Sequence, residues 1–416
     1  MTVYVQGLSA LAYYRNACAN TEAERCPASA ARLEGATSSR AVCIDAGVWR
    51  LGIGEPTPEH PLEVLVRNRT QRSRSKSVVA RVWGKPIART AFRRVSKGLY
   101  VSSPEFLFLQ MATRLDLPEL AALGMELCGT YRHNVDTPLL GTKEMGSMTV
   151  YHQQPLSTPK RLDGFLSSMR SSPGYARAQK ALSFVLPNSA SPMETALYLL
   201  LCLPRRIGGY ALPKPALNPN IVLSKAGRMH TLRRSAKPDL YWKAPHLDLE
   251  YNSDEFHDES HRTLDSMRRK AFERMKVEVI ELTKDELFST SLFHATVLRI
   301  ARRCGKQLRP QGEGNFSERR ASLRSRLLID EALKDAAGEV DGTTSDIRAL
   351  QSPFLQDDGA GLDEYDETMW SDELPDDDWW IDVTPDLEDT WDFEDETWDE
   401  DGLHVFGGRD GEGNEA

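Results

Sequence analysis

Between Lys237 and His257 the chain gathers carboxylates, an amide, imidazoles and ammonium groups within about twenty residues. Asp239 and Glu250 fall in two short apolar-rich runs, Lys237–Trp242 and Leu247–Asn252, joined by Lys243-Ala244-Pro245-His246. A four-residue hairpin loop there sets Trp242 opposite Leu247 and Asp239 opposite Glu250. Lys237 then falls opposite Asn252. Strand alternation puts Lys237, Asp239, Asp248, Glu250 and Asn252 on one face and Leu247, Leu249 and Tyr251 on the other. Carboxylates directly across a ladder stand about 4.5–5.5 Å apart and repel each other. A divalent cation relieves that repulsion, and Mg²⁺ favours one or two carboxylates completed by water and phosphate oxygens. Such an arrangement suits metal-assisted phosphodiester cleavage. The competing reading is a solvated polar face on which Lys237 or a register slip eases the repulsion.

The surrounding pattern supplies elements to hold these groups. Ser191-Pro192-Met193-Glu194 has the N-cap, N1 proline and first-turn acid of a helix start, with the helix running to about Cys202. A short strand is expected at Ile221–Leu223. An amphipathic helix is expected over Glu259–Lys276 and a strand over Val277–Leu282. Thr283 and Glu286 then carry capping-box chemistry for another helix. Helices and strands in this order predict a mixed α/β domain of about 150 residues.

Pro238-Asp239, Leu249-Glu250-Tyr251-Asn252, His257, Asp265 with Arg268 and Arg269, and the strand at 277–282 together resemble the restriction-endonuclease-like superfamily. The resemblance is greatest to its very-short-patch-repair (Vsr-like) branch and covers roughly residues 187–290. It implies an α/β nuclease core that acts on DNA with Mg²⁺. Asp239 and Glu250 would be metal ligands, and Glu194 would add a carboxylate from the leading helix. His257 would be a general base or a phosphate contact, and Arg268 and Arg269 would touch DNA. Each has a plainer role available: Glu194 as a capping residue, His257 as the start of the next helix, Asp265 with Arg268 or Arg269 as a helical ion pair. Asn252 departs from the pattern, since the branch has Asp there and the wider superfamily a catalytic Lys. Lys237, opposite by the hairpin register, is the candidate to restore the missing charge. Otherwise the domain is a degenerate nuclease that binds DNA without cutting it. Residues 60–131 more weakly resemble the regulator half of abortive-infection (type IV toxin–antitoxin) antitoxins, on the strength of a short sheet before Ser103-Pro104-Glu105. That likeness implies a defence or toxin–antitoxin setting.

Charge is segregated along the chain. From Asp357 to the end there are 25 acidic residues and one basic residue, Arg409, whereas residues 1–356 carry a net charge of +15. A basic body points to nucleic acid. The Arg67, Arg69, Arg72, Arg74 and Lys76 run between Leu62–Val66 and Val78–Trp83 reads as a basic turn joining two strands, placed to touch phosphates or simply solvated. The acidic segment embeds Trp370, Trp379, Trp380, Trp391 and Trp398 among acids. That composition predicts a disordered tail that either engages a protein partner, competes with DNA for the basic body, or only solubilises.

The expected organisation is a small α+β domain over 1–160, a Vsr-like domain over 161–310, a charged helix and linker over 311–349, and the disordered acidic tail over 350–416. Within the first domain, Ala41–Leu51 is read as a strand or two turning at Gly47, and Ser103–Leu127 as a helical pair. Residues 161–185 are read as helical. The six cysteines show neither Cys-x-x-Cys nor zinc-ligand spacing. Their simplest reading is as reduced thiols in a cytoplasmic protein. No signal peptide and no membrane span is expected. The functional classes left open are a Mg²⁺-dependent DNA endonuclease, a DNA-binding regulator reusing the fold, and an interaction protein acting through its tail.

Overall fold

The computed structural model describes residues 1–16, 29–133, 149–225, 227–230, 234–252, 259–308 and 316–328. The expectations for His257 and the acidic tail lie outside these residues. The chain is a mixed α/β protein whose described residues belong to one compact unit. Among them no helix is long and apolar enough to cross a membrane.

The first half is built on a five-stranded sheet. Its strands are β1 (Val3–Val5), β2 (Leu62–Val66), β3 (Val78–Val82), β4 (Phe92–Ser96) and β5 (Leu99–Ser102), in the order β3-β2-β1-β5-β4. Helix α1 (Gly7–Arg15) follows β1. Residues 40–51 form helix α2 (Arg40–Asp45) and a 3₁₀ turn at Val48–Leu51, not the expected strands. Gly47 does turn the chain, with φ +81°. β2 and β3 run parallel, Leu62 beside Val78 through Val66 beside Val82, so they are not a hairpin. The connection is eleven residues long with a 3₁₀ turn at Arg69–Gln71, enough chain to return to the starting edge.

Helices α3 (Pro104–Met111) and α4 (Leu117–Cys128) form the expected pair. Ser103 accepts from Phe106 N–H, and Asp116 and Glu119 close a reciprocal capping box. A two-stranded ribbon, β6 (Arg132–His133) with β7 (Thr149–Val150), follows. The helical expectation for 161–185 resolves into α5 (Pro159–Ser167) and α6 (Tyr175–Leu182), parted at Gly174, where φ is +79°. Both pack into the first core, through Leu162 and Phe165 of α5 and Ala178 and Ala181 of α6. Ala121 and Met125 of α4 instead join the second core, which α7 and the following elements complete.

Helix α7 (Pro192–Cys202) is buried on nearly every side, as its Ala-Leu-Tyr-Leu-Leu-Leu run demands. It packs with a four-stranded sheet, β13-β12-β11-β8. Here β8 is Ala216–Leu217, β9 Ile221–Val222, β10 Ser235–Ala236, β11 Leu240–Trp242, β12 Leu247–Asn252 and β13 Glu278–Thr283, with β9 and β10 forming a separate pair. Helix α8 (Glu259–Arg274) links β12 to parallel β13. Thr283 and Glu286 cap α9 (Lys284–Phe288), and α10 (Thr290–Arg303) follows. The charged helix α11 (Phe316–Leu327) is not a detached surface element. Leu323 joins the second core, and Arg320 stacks on Tyr210 and Phe316 at 4.2 and 4.3 Å. Gly208, at φ +98°, gives α11 room, since a Cβ there would meet the Arg319 carbonyl oxygen at 2.4 Å.

The four-stranded sheet has two different faces. Leu240, Trp242, Leu247, Leu249, Ile280 and Leu282 join the core around α7 and α10. Tyr241 instead packs with Ile221, Leu223, Ala271, Phe272 and Val277 under α8. Strand alternation places Asp248 and Glu250 on this second face.

Candidate functional site

The hairpin register holds where the strands pair: Trp242 opposite Leu247, Tyr241 opposite Asp248, Leu240 opposite Leu249. β11 begins at Leu240, so Asp239 lies one residue outside the ladder. Pro238 has no N–H to offer a neighbouring strand, which favours an ending here. The Asp239 carboxylate takes up the slack, accepting from Tyr251 N–H at 3.0 Å. Side chain thus replaces main chain at the mouth of the hairpin, and Asp239 is held beside Glu250.

Glu194 arrives from the first turn of α7. It accepts from Ala190 N–H at 2.9 Å and from the Ser191 hydroxyl at 3.1 Å, while its own N–H donates to Ser191 Oγ. The capping reading of Glu194 is therefore realised in these bonds. The same carboxylate also accepts from Asn218 Nδ2 at 2.5 Å, and Asn218 N–H donates to the Asp239 carbonyl at 3.1 Å. Asn218, at φ +48°, ties the α7 start to the β11 start. The Asn218-Pro219-Asn220 turn is visible in sequence, but its bridging role depends on which elements surround it.

The structure brings Glu194, Asp239 and Glu250 together, and their electrostatics show how closely. Burial, then the charges of Glu250 and Glu194, hold the Asp239 carboxyl well above its ordinary range. Burial, opposed by its hydrogen bonds and reinforced by Glu250, lifts Glu194 from 4.5 to about 6. A fourth acid, Asp248, is fully buried beside them. Burial and Glu250 push its carboxyl well above the usual range. Asp248 shares the Glu250 face by strand alternation, but nothing in the sequence distinguished it from a solvated residue there.

Arg268, from α8, answers these acids. It pairs with Glu250 Oε2, and its other branch donates to the Lys237 carbonyl. Its first partner is thus a protein carboxylate. Arg269 likewise pairs with Glu281 on β13. Lys237 is exposed and precedes β11, so no ladder sets it opposite Asn252. Asn252, also exposed, ends β12 beside Thr283 of β13. Arg67, Arg69, Arg72, Arg74 and Lys76 all lie on the largely exposed β2–β3 connection, away from the carboxylates along the chain.

The donor set suits a hard divalent cation in kind. Both Asp248 oxygens and Glu250 Oε1 are buried without a hydrogen-bond partner. Oxygens of this sort are what Mg²⁺ or Mn²⁺ would engage. Among the described residues, no group of three or more His, Cys, Asp or Glu side chains is arranged to hold a metal ion. A Mg²⁺ site completed by water needs only one or two carboxylates, so the arrangement is compatible with such an ion without being a preformed cage. The four described cysteines, Cys43, Cys128, Cys202 and Cys304, are free thiols. Burial raises the pKa of each, which suits inert structural roles. No family model, curated protein or solved structure matches the chain.

Proposed function

We propose that this protein is a divalent-cation-dependent DNA endonuclease of the restriction-endonuclease-like type, with its site at the mouth of the β11–β12 hairpin. The observation that carries this reading is the meeting of Glu194, Asp239 and Glu250 from one helix and two adjacent strands. Folding gains nothing from assembling mutually repelling, buried carboxylates, and perturbed acids of this kind concentrate at functional sites. Asp239 and Glu250 would hold Mg²⁺, with Glu194 adding charge from α7. The bound ion would supply Lewis-acid stabilisation of the phosphate and a more acidic water. The chain's own contribution is positional. Tyr251 N–H fixes Asp239, Arg268 fixes Glu250, and Asn218 fixes the spacing of α7 from β11. The exposed Arg67–Lys76 connection offers phosphate contacts.

A second reading, a DNA-binding regulator that reuses this fold without cutting, is favoured by one feature. No lysine is set into the ladder at Asn252, and Arg268, the cation beside Glu250, is engaged by it. Plasmid cleavage with Mg²⁺ or Mn²⁺ separates the two. The nuclease reading expects cleavage by the native protein and none by Asp239→Ala or Asp239→Asn, with Mn²⁺ binding lost in parallel. Cleavage undiminished by Asp239→Asn refutes the metal role. Binding of DNA with no cleavage under any divalent ion supports the regulator.

A further inference from the structure

Six acidic side chains are buried among the described residues: Glu63, Glu105, Glu126, Glu194, Asp248 and Glu250. Five of them accept from a donor. Glu63 takes Arg114, Gln6 and the Leu8 N–H; Glu105 takes Ser157 and Arg161; Glu126 takes Arg15. Glu194 takes its cap and Asn218, and Glu250 takes Arg268. Asp248 is fully buried, and neither of its oxygens has a hydrogen-bond donor.

Its place makes this costly. Asp248 pairs with Tyr241 in the middle of the sheet, on the face that packs Phe272, Ala271 and Val277 under α8. A central strand position of this kind ordinarily takes a β-branched or aromatic residue. An ionised carboxylate there without a donor costs roughly several kcal/mol. Local packing gives no reason for an acid at this position.

The neighbourhood suggests one. Asp248 and Glu250 are two residues apart on one strand face, about 6–7 Å along the chain, so their side chains lie side by side. The Glu250 carboxyl acts on that of Asp248 at hydrogen-bonding range, and two ionised carboxylates so placed have only a proton or a cation to share. Glu250 Oε2 is taken by Arg268, but Oε1 is without a partner. Three orphaned carboxylate oxygens therefore lie on a single strand face, next to Asp239 and Glu194. Ionising all four acids against the single Arg268 guanidinium would leave a charge of about −3, which the metal-free site avoids by keeping the Asp239 and Asp248 carboxyls well above their ordinary range, and which a cation would offset. A single cation shared by Asp239 and Glu250 leaves the Asp248 oxygens as they are.

From this we infer that Asp248 is a direct ligand of the divalent cation, sharing it with Glu250 through the orphaned oxygens. The inference rests on the reading of the cluster as a cation site and adds a ligand that the Asp239–Glu250 pair does not include. It requires hard oxygen-seeking ions, Mg²⁺ or Mn²⁺, and a rearrangement of these side chains around the ion, since among the described residues no three acids already stand arranged to hold one.

The test is a Mn²⁺ titration of the full-length protein, followed by the electron paramagnetic resonance signal of free Mn²⁺. Native protein, Asp248→Asn, Asp248→Ser and Asp239→Asn are compared, and the urea stability of each metal-free protein is measured alongside. Asp248→Asn and Asp248→Ser are expected to weaken Mn²⁺ binding at least ~10-fold. Their metal-free stability should equal or exceed that of the native protein, since a buried charge without a donor has gone. Unchanged Mn²⁺ affinity in both variants, with binding still lost in Asp239→Asn, overturns the role of Asp248 and leaves the cation site standing. Affinity and metal-free stability falling together in both variants also overturns it, by making Asp248 a packing residue. A native protein that binds no Mn²⁺ removes the cation site itself, and this inference with it.

Discussion

Replacing Glu194 by Gln should make the metal-free protein more stable at neutral pH. The Glu194 carboxyl is buried and raised from 4.5 to about 6. A carboxyl raised on folding contributes stability that is fully present below the unfolded value, near 4.5, and is lost as pH climbs through 6. The difference corresponds to about 2 kcal/mol. Gln cannot ionise, so it avoids that loss. It also keeps the local bonds: its amide oxygen can accept from Ala190 N–H and Asn218, and its NH₂ can face Ser191 Oγ, whose hydroxyl rotates to accept. Urea unfolding from about pH 4 to 7.5 should show the two proteins nearly matched below about pH 4.5 and Glu194→Gln ahead by about 2 kcal/mol above about pH 6.5. The Asp239 carboxyl feels the Glu194 charge, so the difference curve reports Glu194 together with its coupling to Asp239. Saturating Mn²⁺ should reverse the order, because a ligand at about 100 times its Kd adds about 2.7 kcal/mol to the protein that binds it. Difference curves flat with pH would refute the electrostatic account. So would a Glu194→Gln protein less stable than native at neutral pH, which would make Glu194 a cap and nothing more.

Arg268→Gln removes the partner of Glu250 and leaves that carboxylate facing Asp239 and Asp248; as the guanidinium is about a third exposed, a loss of about 1–3 kcal/mol is expected in urea unfolding at neutral pH. The loss should shrink in acid as the carboxylates protonate, and a pH-independent loss would point to packing instead. Changing Arg67, Arg69, Arg72, Arg74 and Lys76 together to Ala should weaken binding to any DNA sequence. It should reduce the slope of log K against log salt by about 0.9 for each phosphate no longer neutralised, and an unchanged slope dismisses this connection as a DNA contact. Deleting residues 357–416 should tighten DNA binding at low salt and converge with the full chain at high salt, because a tethered polyanion competes with phosphates. Identical curves at all salt concentrations would reduce the tail to a solubilising role.

Local signals were legible in the residues themselves. Ser103, Ser191 and Thr283 each cap a helix where the sequence places them, because capping depends on residues three apart. The four-residue loop at Lys243–His246 set the Trp242–Leu247 register for the same reason, and that register put Asp239 near Glu250. Longer-range relations were not legible. Alternation in Leu62–Val66 and Val78–Val82 marks strands but not their relative direction, and the basic connection that reads as a hairpin turn links parallel neighbours. Residues 40–51 look strand-like by composition, yet fold as a helix and a 3₁₀ turn under the first core.

At the site, sequence determined which acids are available and that Asp239, Asp248 and Glu250 share a sheet face. Tertiary structure decided what those acids meet. Lys237, the expected compensating charge, sits outside the ladder because Pro238 ends the strand, while Arg268, eighteen residues beyond Glu250, supplies the pairing across the α8 packing. Burial divided Asp248 from the ordinary polar residues of its face. A period of two tells which side of a sheet a residue takes, but whether that side is covered by water or by a helix depends on chain that arrives from elsewhere, and so does the ionisation of every acid there.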